Sequence, residues 1–157
     1  MGDINFLIKL KKEKKISLVE PSDELRKSYL QKSESNLISA KLLLKNGRLE
    51  ESVSLAYYSM YNILISLFFK TGIKSENHSA TLILLKEIYG LDNSFILFAK
   101  KERIDKQYYV DFSVTKEEVS DLIKQAEEFN ASLLDFVSKL TNEGIKMHRT
   151  KFISLLN

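Results

Sequence analysis

The residues best equipped for chemistry are aromatic and cationic: Tyr57, Tyr58 and Tyr61 crowd one short segment, and Tyr108 and Tyr109 follow shortly after Arg103. A buried phenol needs a partner for its hydroxyl. One reading is a core in which these hydroxyls bond to His78, Arg103 or Asn62. The other is a polar pocket lined by aromatic faces and one fixed cation, which suits a base and a phosphate. Tyr57, Tyr61, His78, Arg103 and Tyr108 are therefore the candidate ligand-binding cleft, and both readings stay open.

Other chemistries find little material. The chain has two histidines and no cysteine, so a histidine-rich or thiolate metal site and a cysteine nucleophile are excluded. Gly47, Gly72 and Gly90 stand alone, and Gly2 and Gly144 lie near the ends, so no glycine-rich phosphate loop is present. A serine triad would have to be built around His78. Most carboxylates fall where first turns and exposed helix faces are expected. No catalytic residue, metal or cofactor is assigned.

The elements that must position the tyrosines read as helices. In 157 residues there are five Gly and one Pro, too few turn formers for a hairpin-rich fold, while 44% hydrophobic and 29% charged residues give a globular balance. Ser22 can cap a first helix that opens on Asp23 and Glu24 and stops at Asn46-Gly47, with Leu30, Leu37 and Leu44 on one face. A second helix, about Glu50 to Lys70, is apolar nearly all round and stops at Gly72, so it belongs in the middle. On it Ser52, Ser59, Asn62 and Ser66 form a stripe of small polar groups that admits a close neighbouring backbone.

A third helix fits His78 to Tyr89, capped by Ser75 or Asn77, and a fourth runs from Ser94 to about Tyr109. The fifth opens on a Thr115/Glu118 capping box and carries Val119, Leu122, Ala126, Phe129, Leu133, Phe136 and Leu140 at alternating three-four spacing. The expectation is an all-α, antiparallel up-down bundle of about five principal helices over residues 22–140. Residues 1–21 read as an irregular basic arm and 141–157 as a short C-terminal helix or tail.

Net charge is only +3, yet the first 48 residues carry eleven Lys or Arg against six Asp or Glu, with Lys9, Lys11, Lys12, Lys14 and Lys15 clustered in a solvated tail. The apolar run from Ile63 to Phe69 is far shorter than the roughly 20 residues of a bilayer span, and the start of the chain does not read as a signal peptide. A cytoplasmic protein without membrane association is expected.

The run Ser54-Leu55-Ala56-Tyr57-Tyr58-Ser59-Met60-Tyr61, the following Thr71-Gly72-Ile73 and Glu76-Asn77-His78-Ser79, and Arg103 with Gln107-Tyr108 together resemble the HEPN family over about residues 22–140. The resemblance implies a bundle of four or five helices, often a homodimer, in prokaryotic defence, toxin–antitoxin and nucleotidyltransferase-linked systems. Some members are metal-independent ribonucleases marked by an arginine followed, after four to six residues, by a histidine. Here Arg103 meets Tyr108 or Tyr109 at that spacing, and neither His78 nor His148 follows an arginine in this way.

Metal-free RNA cleavage needs a group that moves a proton near neutral pH and a cation for the phosphorane charge. Tyrosine, with a pKa near 10, substitutes poorly for imidazole. The expected function is thus a dimeric binding module that offers a polar cleft to a nucleotide, an RNA or a partner such as a minimal nucleotidyltransferase. The alternative is a toxin-like ribonuclease with an atypical site around Arg103, Tyr108 and His78.

Overall fold

The computed structural model describes the backbone of residues 2–108 and 113–157 and the side chains of residues 2–105 and 113–157. Among the described residues there are seven helices: α1 (Gly2–Lys12), α2 (Asp23–Lys45), α3 (Leu49–Thr71), α4 (His78–Tyr89), α5 (Ser94–Tyr108), α6 (Lys116–Ser138) and α7 (Asn142–Leu155). Two three-residue strands, β1 (Ile16–Leu18) and β2 (Ile73–Ser75), pair antiparallel. The fold is an all-helical bundle, as the periodicity predicts.

The helix ends follow local chemistry. Ser22, Asn77, Thr115 and Thr141 each accept a backbone N–H from the first turn of the helix they open. Gly72 and Gly90 end α3 and α4 in the left-handed region, at φ +78° and +66°.

α3 is the core helix. Val53, Ala56, Tyr57, Met60, Leu64, Leu67 and Phe68 are all at most 1% exposed, and burial of a Leu- or Phe-sized side chain favours folding by about 1.5–3 kcal/mol. By length and composition it could cross a bilayer, but 72% of its apolar window is buried inside the bundle. Neighbouring α2, α5 and α6 cover it.

The small polar stripe sets how closely α2 and α3 approach. Ser66 Oγ donates to the Arg26 carbonyl at 2.8 Å, Ser33 Oγ to the Ser59 carbonyl at 2.6 Å, and Ser52 Oγ to the Ala40 carbonyl at 2.7 Å. Residues 26, 33 and 40 ascend by sevens while 66, 59 and 52 descend by sevens, so each second turn of one helix meets a second turn of its antiparallel partner. Five of these six positions are Ser or Ala, small enough for a hydroxyl on one helix to reach a carbonyl on the other at these lengths. Asn62 Nδ2 donates to Asn36 Oδ1 at 2.8 Å, between these contacts.

Two expectations are corrected at the ends of the bundle. Residues 1–21 are not an irregular arm: α1 buries Leu7 and Leu10, and β1 pairs Ile16 with Ser75 and Leu18 with Ile73. The lysines lie between the apolar positions, so the same segment is both basic and packed. The C-terminal segment, expected as a short helix or tail over 141–157, is a packed helix: Phe152 is 1% exposed because α7 folds back on α3 and α4. Arg149 on α7 fixes that return, its Nη1 donating to the carbonyls of Val19 (2.7 Å), Thr71 (3.1 Å) and Gly72 (2.9 Å).

Candidate functional site

Three helices converge on the candidate cleft. α3 supplies Tyr57, Tyr58 and Tyr61, which face one side because positions three or four apart on a helix are neighbours. The first turn of α4 supplies His78, Ser79 and Thr81, placed there by the Asn77 cap, whose side chain accepts the Ala80 N–H at 2.9 Å. From α5 come Lys100 and Arg103.

The imidazole of His78 is fixed on two sides. Its Nδ1 shares a hydrogen bond with the Tyr57 hydroxyl at 2.9 Å. Its ring lies on Tyr61, with centroids 3.9 Å apart. Tyr61 places its hydroxyl 3.3 Å from Thr81 Oγ1. Arg103 lies over the rings of Tyr57 and Tyr58, its Cζ 5.4 and 5.1 Å from their centroids, within cation–π range. Lys100 donates to Ser79 Oγ at 2.6 Å.

The site is cationic. None of the ion pairs among the described residues involves Arg103 or Lys100, and the Arg103 Nε is buried without a partner. Burial, then the neighbouring Arg103 and Lys100, hold the His78 imidazole below its ordinary range. Burial, then Arg103, lowers the Lys100 ammonium as well. Burial raises the Tyr57 hydroxyl, with Tyr61 adding and Arg103 opposing, so this phenol keeps its proton at neutral pH. Burial likewise raises Tyr61, against its bond to Thr81.

Four of the expected residues, Tyr57, Tyr61, His78 and Arg103, come together. Tyr108 lies outside the described side chains, as does Tyr109. Among the proposed hydroxyl partners, His78 takes Tyr57 as expected. Asn62 instead pairs with Asn36 on α2, because it sits on the opposite stripe of α3. Arg103 meets ring faces, and Thr81 takes the Tyr61 hydroxyl. Ser79 and Lys100 were not legible as a pair: 21 residues separate them, and only the packing of α5 beside α4 joins them. His148 is remote from the cleft, 6% exposed, with Nδ1 donating to the Ile88 carbonyl at 3.2 Å. Among the described residues no three His, Cys, Asp or Glu side chains gather as a metal site.

A helical bundle in which tyrosines, one histidine and two cationic side chains cluster where the core helix meets the two that follow is the class this geometry defines. Residues 26–140 match the HEPN domain, and the chain belongs to that family. It is 30% identical over 116 residues to a UPF0332 protein of Thermotoga maritima, spanning 68% of this chain and 83% of the relative. To a UPF0332 protein of Pyrococcus horikoshii it is 35% identical over 80 residues, 51% of this chain and about half (52%) of the relative's length.

Proposed function

We propose that the chain is a dimeric HEPN binding module whose cleft takes the phosphate of a nucleotide or RNA without cleaving it. The observation that carries this reading is Arg103: a guanidinium held over two tyrosine rings, its Nε buried and unpaired, beside a second cation and a neutral imidazole. Guanidinium in such a setting is well matched to phosphate oxygens. A minimal nucleotidyltransferase as partner and a cytoplasmic setting follow from the family likeness and belong to the same proposal. Phe98, 47% exposed on α5, offers apolar surface for two-fold pairing. Light scattering at micromolar concentration is expected to give the dimer mass.

A second reading, metal-independent ribonuclease, is favoured by one observation: His78 reaches the vicinity of Arg103 from another helix, although the family's spacing between arginine and histidine is missing. Against it, the imidazole has Nδ1 engaged by Tyr57, and the tyrosines hold their protons too tightly to act as bases. Incubating the protein with labelled RNAs in chelator separates the two. Retention of intact RNA on the protein, lost in Arg103→Ala, is expected. Cleavage by the wild type that disappears in both Arg103→Ala and His78→Ala would overturn the binding-only reading.

A further inference from the structure

Between α1, α4 and α5 lies a cavity of about 360 Å³, at the lower end of the range that holds small ligands. Ser79 and Lys100 line it, and these two residues also border the cationic cluster: Ser79 follows His78 directly, and Lys100, bonded to Ser79, stands three residues before Arg103 on α5, on the same side of the helix. Cleft and cavity thus share one wall.

The remaining lining differs in kind from the cleft. Ile83 and Leu97 give it apolar sides, while Asp3 and Glu87 set two carboxylates against Lys86 and Lys100. Formal charge in the cavity therefore balances. A second phosphoryl group entering it would meet two carboxylates, whereas an uncharged group rich in hydroxyl or amine donors would find acceptors and an apolar surface to lie on.

We infer that this cavity receives the organic half of a phosphomonoester, a hydroxylated group such as a ribose or ribonucleoside, whose phosphate sits against Lys100, Ser79 and Arg103. This rests on the proposed phosphate-binding role of the cleft, and it narrows the ligand from any phosphate carrier to a small ester with one terminal phosphate. A polyphosphate is disfavoured by Asp3 and Glu87. An RNA strand would need only the open cleft.

Isothermal titration of the full chain with orthophosphate, pyrophosphate, ribose 5-phosphate, adenosine 5′-monophosphate and a short single-stranded RNA tests the inference. At least one monoester is expected to bind ten times or more tighter than orthophosphate and pyrophosphate. A further gain for the nucleotide over ribose 5-phosphate assigns the cavity to a nucleoside; equal affinity assigns it to a sugar. Leu97→Trp, at a position already 45% exposed and so tolerant of a larger side chain, should remove the gain and leave orthophosphate unchanged. Asp3→Asn should weaken the monoester threefold or more.

If monoester and orthophosphate bind alike, or Leu97→Trp leaves the monoester untouched, the cavity plays no part and the inference falls. Should RNA then still bind and be lost in Arg103→Ala, the cleft reading stands without it. Absence of binding by every probe overturns both.

Discussion

The imidazole of His78 lies nearly parallel to the ring of Tyr61, planes 9° apart and centroids separated by 3.9 Å. Stacking of this kind, with Nδ1 engaged by Tyr57, favours the neutral ring over a charged one that would be desolvated beside Arg103 and Lys100.

A pH dependence follows. The unfolded chain takes up its histidine protons near pH 6.5, whereas the folded His78, lowered chiefly by burial, takes one up only at lower pH. Its contribution to stability is whole above the unfolded value and is lost as pH falls through the folded pKa. His148, lowered first by burial, acts in the same direction. Urea midpoints should be flat from about pH 8 to 7 and fall below about 6.5. Proton NMR should place both imidazole titrations below the ordinary value; a His78 midpoint at or above it would contradict the packing described.

Arg103→Ala separates ligand binding from core stability. A cation–π contact at a part-exposed site is worth about 0.5–1 kcal/mol, and 1 kcal/mol moves the Tm of a chain this size by about 2–4 °C. A drop in Tm of that order, with a loss of phosphate-ligand affinity of at least about tenfold, or 1.4 kcal/mol, is expected. A large fall in Tm with affinity unchanged would make Arg103 a core partner of the tyrosines.

Ser52→Leu tests the close approach of α2 and α3. Ser52 is fully buried and its Oγ donates to the Ala40 carbonyl, so the larger side chain must push the two helices apart and leave that carbonyl without its hydroxyl. Overpacking of this kind costs about 1–3 kcal/mol, and the lost bond adds roughly 1 kcal/mol. Urea denaturation should register the sum, while Ser52→Ala should cost only the smaller part.

Gly72→Ala tests the junction of α3 with β2. At φ +78° an L side chain is strained, and a Cβ here would run into the Arg149 guanidinium and the Val19 carbonyl. A loss of about 1–2 kcal/mol for the backbone alone is expected, with more from displacing Arg149. The double variant Gly72→Ala, Arg149→Ala should be less destabilised than the sum of the singles, since the second change removes one of the two collisions.

Most of the bundle was legible because its signals are local. Ser22, Asn77 and Thr115 mark helix starts through their own side chains, and Gly72 and Gly90 mark helix ends through a backbone conformation that glycine adopts freely. α1 was not, since Lys9, Lys11 and Lys12 mask a period carried mainly by Leu7 and Leu10. β1 and β2 were out of reach for a different reason: each is three residues long, and their pairing joins positions 16 and 75. In the cleft, Tyr57, Tyr61, His78 and Arg103 could be nominated by residue type, but the Ser79–Lys100 bond arises only when α4 and α5 pack.

The triple acceptance of Arg149 Nη1 by Val19, Thr71 and Gly72 also orders events in time. Its longest link spans 130 residues of chain, and contacts so remote require a large loop to be closed before they form. The Val19 carbonyl comes beside those of Thr71 and Gly72 only once β1 has paired with β2 and the Val19 N–H has bonded to the Gly72 carbonyl, so docking of α7 is a late step that locks a junction already built. Variants of Arg149 are therefore expected to speed unfolding while leaving the refolding rate nearly unchanged.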